Sequence, residues 1–219
     1  MRRTMLVLIM VLCMTAFMTP AVFANEVTEG EGIMEITADK EHLNILINLR
    51  GTEVSYGEVI EKVYPEALKE IPKFVLNNMY NTPMNWSNSF NNQVIEEDTS
   101  DITRGWFYVN GFSQIGASGD NVRFKSYHTA TNDYGALVEM PYMSVLSSLL
   151  YYDDTVVKSK FASGTDISSI TTSNQYYQNA PSGEYLTEGF HYVDFPDGTI
   201  PSSGSDWSYS NFGNWWEFN

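Results

Sequence analysis

The chain has 219 residues, with 27 acidic and 12 basic side chains, and its formal net charge is −15 at pH 7. This charge repels phosphate backbones and anionic lipid head groups, which disfavours nucleic-acid binding and attachment to a membrane surface. The only cysteine, Cys13, lies in a predicted signal peptide, so disulfides, thiolate metal sites and cysteine nucleophiles are excluded from the predicted mature protein.

The N-terminus, residues 1–24, has the organisation of a secretory signal peptide. Arg2 and Arg3 provide the charged start, an apolar run follows at 5–18, and residues 22–24 have the pattern of a cleavage site that ends at Ala24. The apolar run is about 14 residues long, whereas a helix that spans a membrane needs about 20. We therefore predict export with cleavage after this segment, and no membrane insertion of the mature protein.

The exported protein is accordingly expected to begin at Asn25. Mass spectrometry of the intact protein, purified from outside the cell, measures this start directly. A protein that keeps Met1 and fractionates with membranes would contradict the prediction, because the apolar run would then act as an anchor.

Two segments follow: residues 25–36, predicted as a disordered acidic leader, and residues 37–82, predicted as helical. The leader begins with acidic and small residues and lacks an apolar pattern. The start of the helical segment is ambiguous, because the residues from Leu43 to Leu49 alternate between apolar and polar as in a strand. Thr37 as an N-cap and Gly51 after the last turn indicate a helix instead, and we predict the helix.

Short helices separated by breaks are predicted next. Ser55 and Glu58 have the spacing of a capping box, and apolar residues then recur at helical intervals. Pro65 and Pro72 cannot lie inside one straight helix, but each is tolerated at the start of a new helical segment. We therefore predict consecutive helices with a break before each proline, ending near Tyr80.

The remaining residues, 83–219, are predicted to form an all-β domain. Runs rich in β-branched and aromatic residues at 105–115, 121–131, 143–161 and 184–195 are separated by turn-forming residues. Strands do not alternate with helices, which disfavours a parallel α/β fold. We predict an α+β fold in which short N-terminal helices precede a mainly antiparallel β-sandwich or barrel-like domain.

The segment 143–161 is predicted to be a hairpin that turns at Asp153-Asp154. A turn with an even number of residues pairs Leu146 with Phe161, Ser148 with Ser159 and Leu150 with Val157. This register directs Lys158 and Lys160 to the opposite side of the hairpin, where we expect solvent.

The common catalytic and cofactor-binding motifs are absent from the sequence, so no catalytic residue and no cofactor is predicted. His128 and His191 lie on predicted strands and could approach each other. We favour two histidines with separate hydrogen bonds over a metal pair. The oxygen-rich turns at 153–154 and 194–198 lack the ligand spacing of a calcium loop, so no metal site is predicted.

Three carboxyl groups are candidates for glycosidase chemistry, which needs two of them at a defined separation. Glu184, Glu188 and Asp194 lie on one predicted strand. An acidic protein contains many such groups, so their presence carries little weight. Glu188 and Asp194 are predicted on the face opposite Tyr185 and Val193, where we expect solvent. A hydrolase with an unrecognised site is therefore the least favoured function.

Aromatic residues are concentrated near the C-terminus, and four of them are the predicted ligand-binding residues: Trp207, Tyr209, Trp215 and Trp216. Exposed aromatic rings on a β-sandwich can stack on sugar rings beside polar groups. The alternative is that Trp215 and Trp216 only tie the C-terminus to the core.

We expect an exported extracellular protein, and we favour a β-sandwich module that binds a neutral or basic glycan or another extracellular protein. The alternative is a structural or accessory secreted protein without a small-ligand site. An enzymatic activity is not favoured, because no motif supplies the chemistry.

Overall fold

The structure is a computed structural model that describes residues 33–86, 94–97, 106–200, 202–209 and 216–218. At 94–97, 106, 118, 200 and 216–218 it describes only the backbone. The predicted signal peptide, Trp215 and the predicted leader up to residue 32 lie outside the described residues. No helix in the described part of the chain is long and apolar enough to cross a membrane.

A short strand, β1 (Met34–Thr37), occupies the last part of the predicted leader. It pairs antiparallel with a later strand, and its alternate apolar residues pack against the hydrophobic core. The Glu35 carboxylate points the other way, where it forms an ion pair with Lys160 and accepts a hydrogen bond from the Ser173 N–H at 2.7 Å. Residues 34–36, which we predicted to be disordered, are therefore ordered as a strand.

The ambiguous segment is a helix, α1 (Lys40–Leu49), as predicted. Its N-cap is Asp39 rather than Thr37, because the Asp39 carboxylate accepts a hydrogen bond from the His42 N–H at 2.9 Å. Thr37 is the last residue of β1 and lies too early to cap the helix. Gly51 follows the helix with φ +73°, the left-handed conformation in which glycine commonly ends a helix.

The predicted breaks in the helical segment are confirmed. α2 (Tyr56–Val63) begins with the predicted capping box. The Ser55 hydroxyl accepts a hydrogen bond from the Glu58 N–H at 3.2 Å, and the Ser55 N–H donates to the Glu58 carboxylate at 2.7 Å. A 3₁₀ helix (Pro65–Lys69) and α3 (Lys73–Asn81) follow. Both start at or directly after a proline, which cannot donate the backbone hydrogen bond that a continuous helix requires.

Two antiparallel sheets follow the helices. Their strands are β2 (Val94–Glu97), β3 (Trp106–Ser118), β4 (Asn121–Asn132), β5 (Met140–Tyr151), β6 (Val156–Ile167), β7 (Ser169–Thr171), β8 (Gln175–Tyr177), β9 (Gly183–Asp194), β10 (Thr199–Ile200), β11 (Ser203–Tyr209) and β12 (Trp216–Phe218). Sheet 1 has the order β1–β6–β5–β9–β11, and β12 also pairs with β9. Sheet 2 has the order β10–β2–β3–β4–β7, and β8 also pairs with β4. Neither sheet closes on itself within the described residues, so the barrel-like alternative is not observed.

The fold has three layers: the helices, sheet 1 and sheet 2. The helices and one face of sheet 1 share a hydrophobic core that includes Leu46, Ile60, Leu146 and Phe190. The other face of sheet 1 packs on sheet 2 through two smaller apolar clusters, centred on Val145 and on Leu149. The central strands of sheet 1, β5 and β9, are therefore largely buried on both faces.

The predicted hairpin is formed by β5 and β6. The pairing of Leu146 with Phe161 and of Ser148 with Ser159 is confirmed. A β-bulge after Leu149 then shifts the register, so that Leu150 pairs with Val156 instead of Val157. A bulge of this kind inserts one unpaired residue and increases the local twist near a turn.

The prediction that Lys158 and Lys160 point into solvent is wrong for Lys160, whereas Lys158 is half-exposed. Lys160 is only 9 % exposed, and its ammonium group contacts Glu35 and the Ser173 hydroxyl. Lys158 Nζ donates to the Tyr176 carbonyl oxygen at 2.9 Å. Both side chains extend toward sheet 2, because the helices cover the opposite face of the hairpin. Lys160 is therefore paired with a carboxylate, whereas the Lys158 ammonium group donates to a backbone carbonyl at the edge of sheet 2.

Candidate functional site

The two strand histidines do approach each other, between sheets 1 and 2. The ring centroids of His128 on β4 and His191 on β9 are 5.1 Å apart, and both rings are buried. His191 Nε2 lies 2.7 Å from Ser208 Oγ. The Nδ1 atoms of both rings have no hydrogen-bond partner among the described residues. His128 hydrogen-bonds to the backbone at Tyr192 and Ser144, so the two rings have separate partners, as predicted.

A chain of hydroxyl groups continues from Ser208 across the same interface. Ser208 Oγ is 2.7 Å from Ser113 Oγ, which in turn is 2.9 Å from Ser126 Oγ. Ser126 donates to Ser147 Oγ at 2.9 Å. Gly189 makes room for this chain, because a Cβ atom there would lie 2.6 Å from Ser113 Oγ and 2.7 Å from Ser126 Oγ. The interior between the sheets is therefore both polar and closely packed.

The histidine pair does not support a hydrolase. Burial lowers the pKa of His128 to about 4, and burial together with the neighbouring His128 lowers the pKa of His191 well below its ordinary value. The contact between Ser208 and neutral His191 resembles a nucleophile with its base. However, Ser208 is 2 % exposed and His191 is 0 % exposed, so a substrate cannot reach the hydroxyl.

The prediction that Glu188 and Asp194 lie on a solvated face is also wrong. Each is only 3 % exposed, because the helices cover this face of β9. Arg50 Nη2 donates to Glu188 Oε1 at 2.7 Å, and Asn78 Nδ2 donates to Asp194 Oδ1 at 2.7 Å. Burial raises the pKa of both carboxyl groups, and the Arg50 charge partly opposes this effect on the pKa of Glu188.

These carboxyl groups are too far apart for glycosidase chemistry. A strand rises about 3.3 Å per residue, so six positions separate Glu188 from Asp194 by about 20 Å. The two carboxyl groups of a glycosidase lie about 5 to 9.5 Å apart. Glu184, four positions before Glu188, is about 13 Å away by the same rise and is exposed. No two of the three candidates therefore form a catalytic pair along the strand.

Two of the predicted ligand-binding residues, Trp207 and Tyr209, lie side by side on β11, at the edge of sheet 1. Their ring centroids are 5.1 Å apart with the planes inclined by 34°, and both side chains are half-buried. On β9, Phe190 is the sheet partner of Trp207, and the Trp86 ring contacts Phe190 edge-on at 5.1 Å. We call the four residues Trp86, Phe190, Trp207 and Tyr209 the aromatic corner.

The other two predicted ligand-binding residues are not tested. Trp215 lies outside the described residues. Trp216 begins β12, where its backbone pairs with that of Tyr185, and its side chain is not described. The aromatic corner therefore rests on Trp207 and Tyr209 alone among the four predicted residues.

Polar groups flank the aromatic corner. Glu188 is the sheet partner of Tyr209, which places the ion pair with Arg50 beside the aromatic rings. Glu188 Oε2 has no hydrogen-bond partner within the described part of the chain. Trp86 Nε1 donates to the Thr52 carbonyl oxygen at 2.8 Å, which fixes the indole against the loop after α1. Apolar ring surface and charged groups are thus combined at one place.

A groove of about 610 Å³ begins at Trp86 and runs along the helical layer. Its lining combines the loop after α1, the end of α3 and the following residues: Gly51, Thr52, Glu53, Val54, Ser55, Tyr80, Asn81, Pro83, Met84, Asn85 and Trp86. Tyr80 is 39 % exposed, so the groove offers a second aromatic ring. A volume of this size is typical of a ligand-binding cleft.

Sequence reasoning found half of the aromatic corner. The spacing of Trp207 and Tyr209 puts both on one face of a strand, which the sequence alone indicates. Trp86 and Arg50 come from the helical segment, and no spacing in the sequence connects them with β11. Only the packing of the helices on sheet 1 brings them together.

No metal centre is found among the described residues, where no three His, Cys, Asp or Glu side chains are grouped to hold an ion. Comparison of the chain with models of protein families, with curated proteins and with solved structures gives no match.

Proposed function

We propose that the protein is an exported binding module whose two sheets form a β-sandwich and whose aromatic corner binds a neutral or basic glycan. One observation carries this proposal: Trp207 and Tyr209 lie together, half-buried, on an edge strand next to Trp86 and the ion pair of Arg50 with Glu188. Aromatic rings that are neither fully buried nor isolated are suited to stack on the apolar face of a sugar.

The surrounding charges favour some glycans over others. The net charge of −15 repels a polymer of like charge. Stacking itself works on a neutral sugar whatever the net charge of the protein. A neutral or amino-bearing glycan is therefore the ligand that we propose.

An extracellular protein ligand at the same corner is the second candidate, because Trp and Tyr are also enriched at protein interfaces. A structural or accessory role without a ligand is the third. The hydrolase is the least supported candidate, since its carboxyl groups are too far apart along the strand and its Ser–His pair is buried.

The Trp207→Ala variant tests the proposal. Loss of one stacking ring is expected to weaken glycan binding by about 1 to 3 kcal/mol, the cost of removing an aromatic anchor. Binding is measured by retention on insoluble polysaccharides and by a glycan array. Tyr134→Ala is the matched control, because Tyr134 is 93 % exposed in the turn after β4 and outside the corner.

Thermal unfolding of each variant shows whether the fold is kept. Weakened binding by a folded Trp207→Ala protein, with unchanged binding by Tyr134→Ala, would support the aromatic corner. The proposal fails if the wild-type protein binds no glycan, or if the two variants lose binding equally.

A further inference from the structure

The side of sheet 2 that faces away from sheet 1 is a second candidate surface. Along β4, buried residues such as Phe124 and Ala130 alternate with more exposed ones, and the buried set packs on sheet 1. The outward-pointing residues of β3 and β4 are half-exposed or exposed. They are Tyr108, Asn110, Phe112, Gln114, Arg123, Lys125, Tyr127 and Thr129, and we call them the outer face.

Aromatic rings occupy the middle of the outer face. Phe112 and Tyr127 are sheet partners, with ring centroids 5.0 Å apart and planes inclined by only 21°. Lys125 Nζ lies 5.9 Å from the centroid of the Tyr127 ring. Asn110 and Gln114 flank Phe112 on the same strand and supply hydrogen-bonding groups. Apolar rings with adjacent amides are a combination suited to a sugar chain.

The charge of the outer face is opposite to that of the whole protein. Arg123 is exposed and Lys125 is half-exposed, and both point outward from β4. The sequences of β3, β4, β7 and β8 contain no acidic residue. Glu96 and Glu97 lie on β2, which pairs with the opposite end of β3 from Arg123, and Asp120 lies in the turn between β3 and β4. The net charge of the chain is nevertheless −15. Since charges are screened beyond about 8 Å at physiological salt, these local basic groups dominate the interaction with a ligand in contact with the face.

A groove extends the outer face at β8. Tyr176 is the sheet partner of Arg123 and is 39 % exposed. It lines a groove of about 450 Å³ together with Lys158, Gln178 and their neighbours. A third aromatic ring and a third basic side chain are therefore found at the edge of the same surface.

We propose that the outer face binds an anionic polysaccharide. Its sugar rings would lie against Phe112, Tyr127 and Tyr176, and its carboxylates would pair with Arg123 and Lys125. An extended polymer suits this face better than a compact ligand, because it contacts the rings and the basic groups in succession along the strands. This site is independent of the aromatic corner, which we assign to neutral or basic glycans.

The test uses polygalacturonate as the anionic probe and its fully methyl-esterified form as the uncharged one. The double variant Arg123→Gln/Lys125→Gln is compared with Lys69→Gln/Lys73→Gln, whose lysines are exposed in the helical layer. Both double variants change the net charge equally, so they separate the outer face from the overall charge. Affinity is measured by biolayer interferometry at two salt concentrations.

The wild-type protein is expected to bind polygalacturonate, and to bind it less well at the higher salt concentration. The outer-face variant should bind about tenfold more weakly, whereas the helical-layer variant should change by less than about twofold. Trp207→Ala should bind polygalacturonate normally, which distinguishes this site from the aromatic corner.

Three results would overturn the proposal. The wild-type protein could fail to bind polygalacturonate, it could bind the esterified polymer equally well, or both double variants could lose affinity equally. Sedimentation velocity adds a fourth outcome. If the protein self-associates and only the outer-face variant is monomeric, the occupant of the face is a second copy of this chain, and the polysaccharide assignment is wrong.

Discussion

The Gly111→Ala variant is expected to lose about 3 kcal/mol of its free energy of unfolding, the upper part of the usual cost of overpacking a core. Gly111 lies on β3 against the His191 ring. A Cβ atom at this position would lie 2.5 Å from His191 Nε2 and 2.6 Å from its Cγ. The ring cannot move aside without cost, because it is completely buried and hydrogen-bonded to Ser208.

Gly116→Ala is the matched control for this variant. Gly116 lies on the same strand, and the nearest atom to its added Cβ would be Arg123 Nη2 at 3.9 Å. We expect its free energy of unfolding to change by less than about 0.5 kcal/mol. Urea denaturation at pH 7 measures both values. Equal stability of the two variants would show that the packing between the sheets differs from the one described.

Acid is expected to destabilise the protein through the same histidine pair. Unfolded histidine binds a proton near pH 6.5, whereas burial lowers the pKa of His128 to about 4 and that of His191 well below its ordinary value. Between pH 6.5 and about 4 the unfolded state therefore binds more protons. The stability contributed by the two neutral histidines is fully present above about pH 6.5. Below that pH the free energy of unfolding falls, by up to about 1.4 kcal/mol per pH unit for each histidine.

The His128→Gln variant isolates the contribution of one ring. Between pH 7 and pH 5 the free energy of unfolding should decrease in both proteins. The decrease should be about 2 kcal/mol smaller in the variant than in the wild-type protein. The buried carboxyl groups of Glu188 and Asp194 are present in both proteins, so their own pH dependence cancels in the difference. Parallel pH dependence of the two proteins in urea denaturation would refute buried, neutral histidines.

Local signals in the sequence predicted the helical layer and the hairpin well. Ser55 with Glu58 and the two prolines act within a few residues, and the structure confirms the capping box and both breaks. The pairing of Leu146 with Phe161 follows from alternation and turn length. The N-cap of α1 was missed because Thr37 and Asp39 are both good caps, and the pairing of β1 with β6 decides between them.

The errors on Lys160, Glu188 and Asp194 have one physical cause. Each was assigned to solvent because one face of its strand is apolar and the other contains polar residues. That argument holds for a sheet with one solvated face. Sheet 1 instead lies between the helices and sheet 2, so its polar side chains are buried and find partners such as Arg50 and Asn78. The sequence does not reveal that middle layer.

The candidate site shows the same division. Alternation along β11 was enough to group Trp207 with Tyr209, whereas Trp86 and Arg50 reach them only through tertiary packing. The outer face was not predicted at all. Phe112 and Tyr127 do lie on predicted strands. That they are neighbours depends on the register of β3 and β4, which the sequence analysis did not assign.

The central proposal, that the aromatic corner binds a glycan, is tested most directly by an NMR titration of the ¹⁵N-labelled protein. A neutral cello-oligosaccharide and a basic chitosan oligosaccharide are the probes. We expect the largest chemical-shift changes at the backbone amides of β11 and at the Trp86 and Trp207 indole N–H groups. The proposal would be contradicted if the chemical-shift changes were confined to other parts of the protein. It would also be contradicted if neither probe caused any change at high concentration.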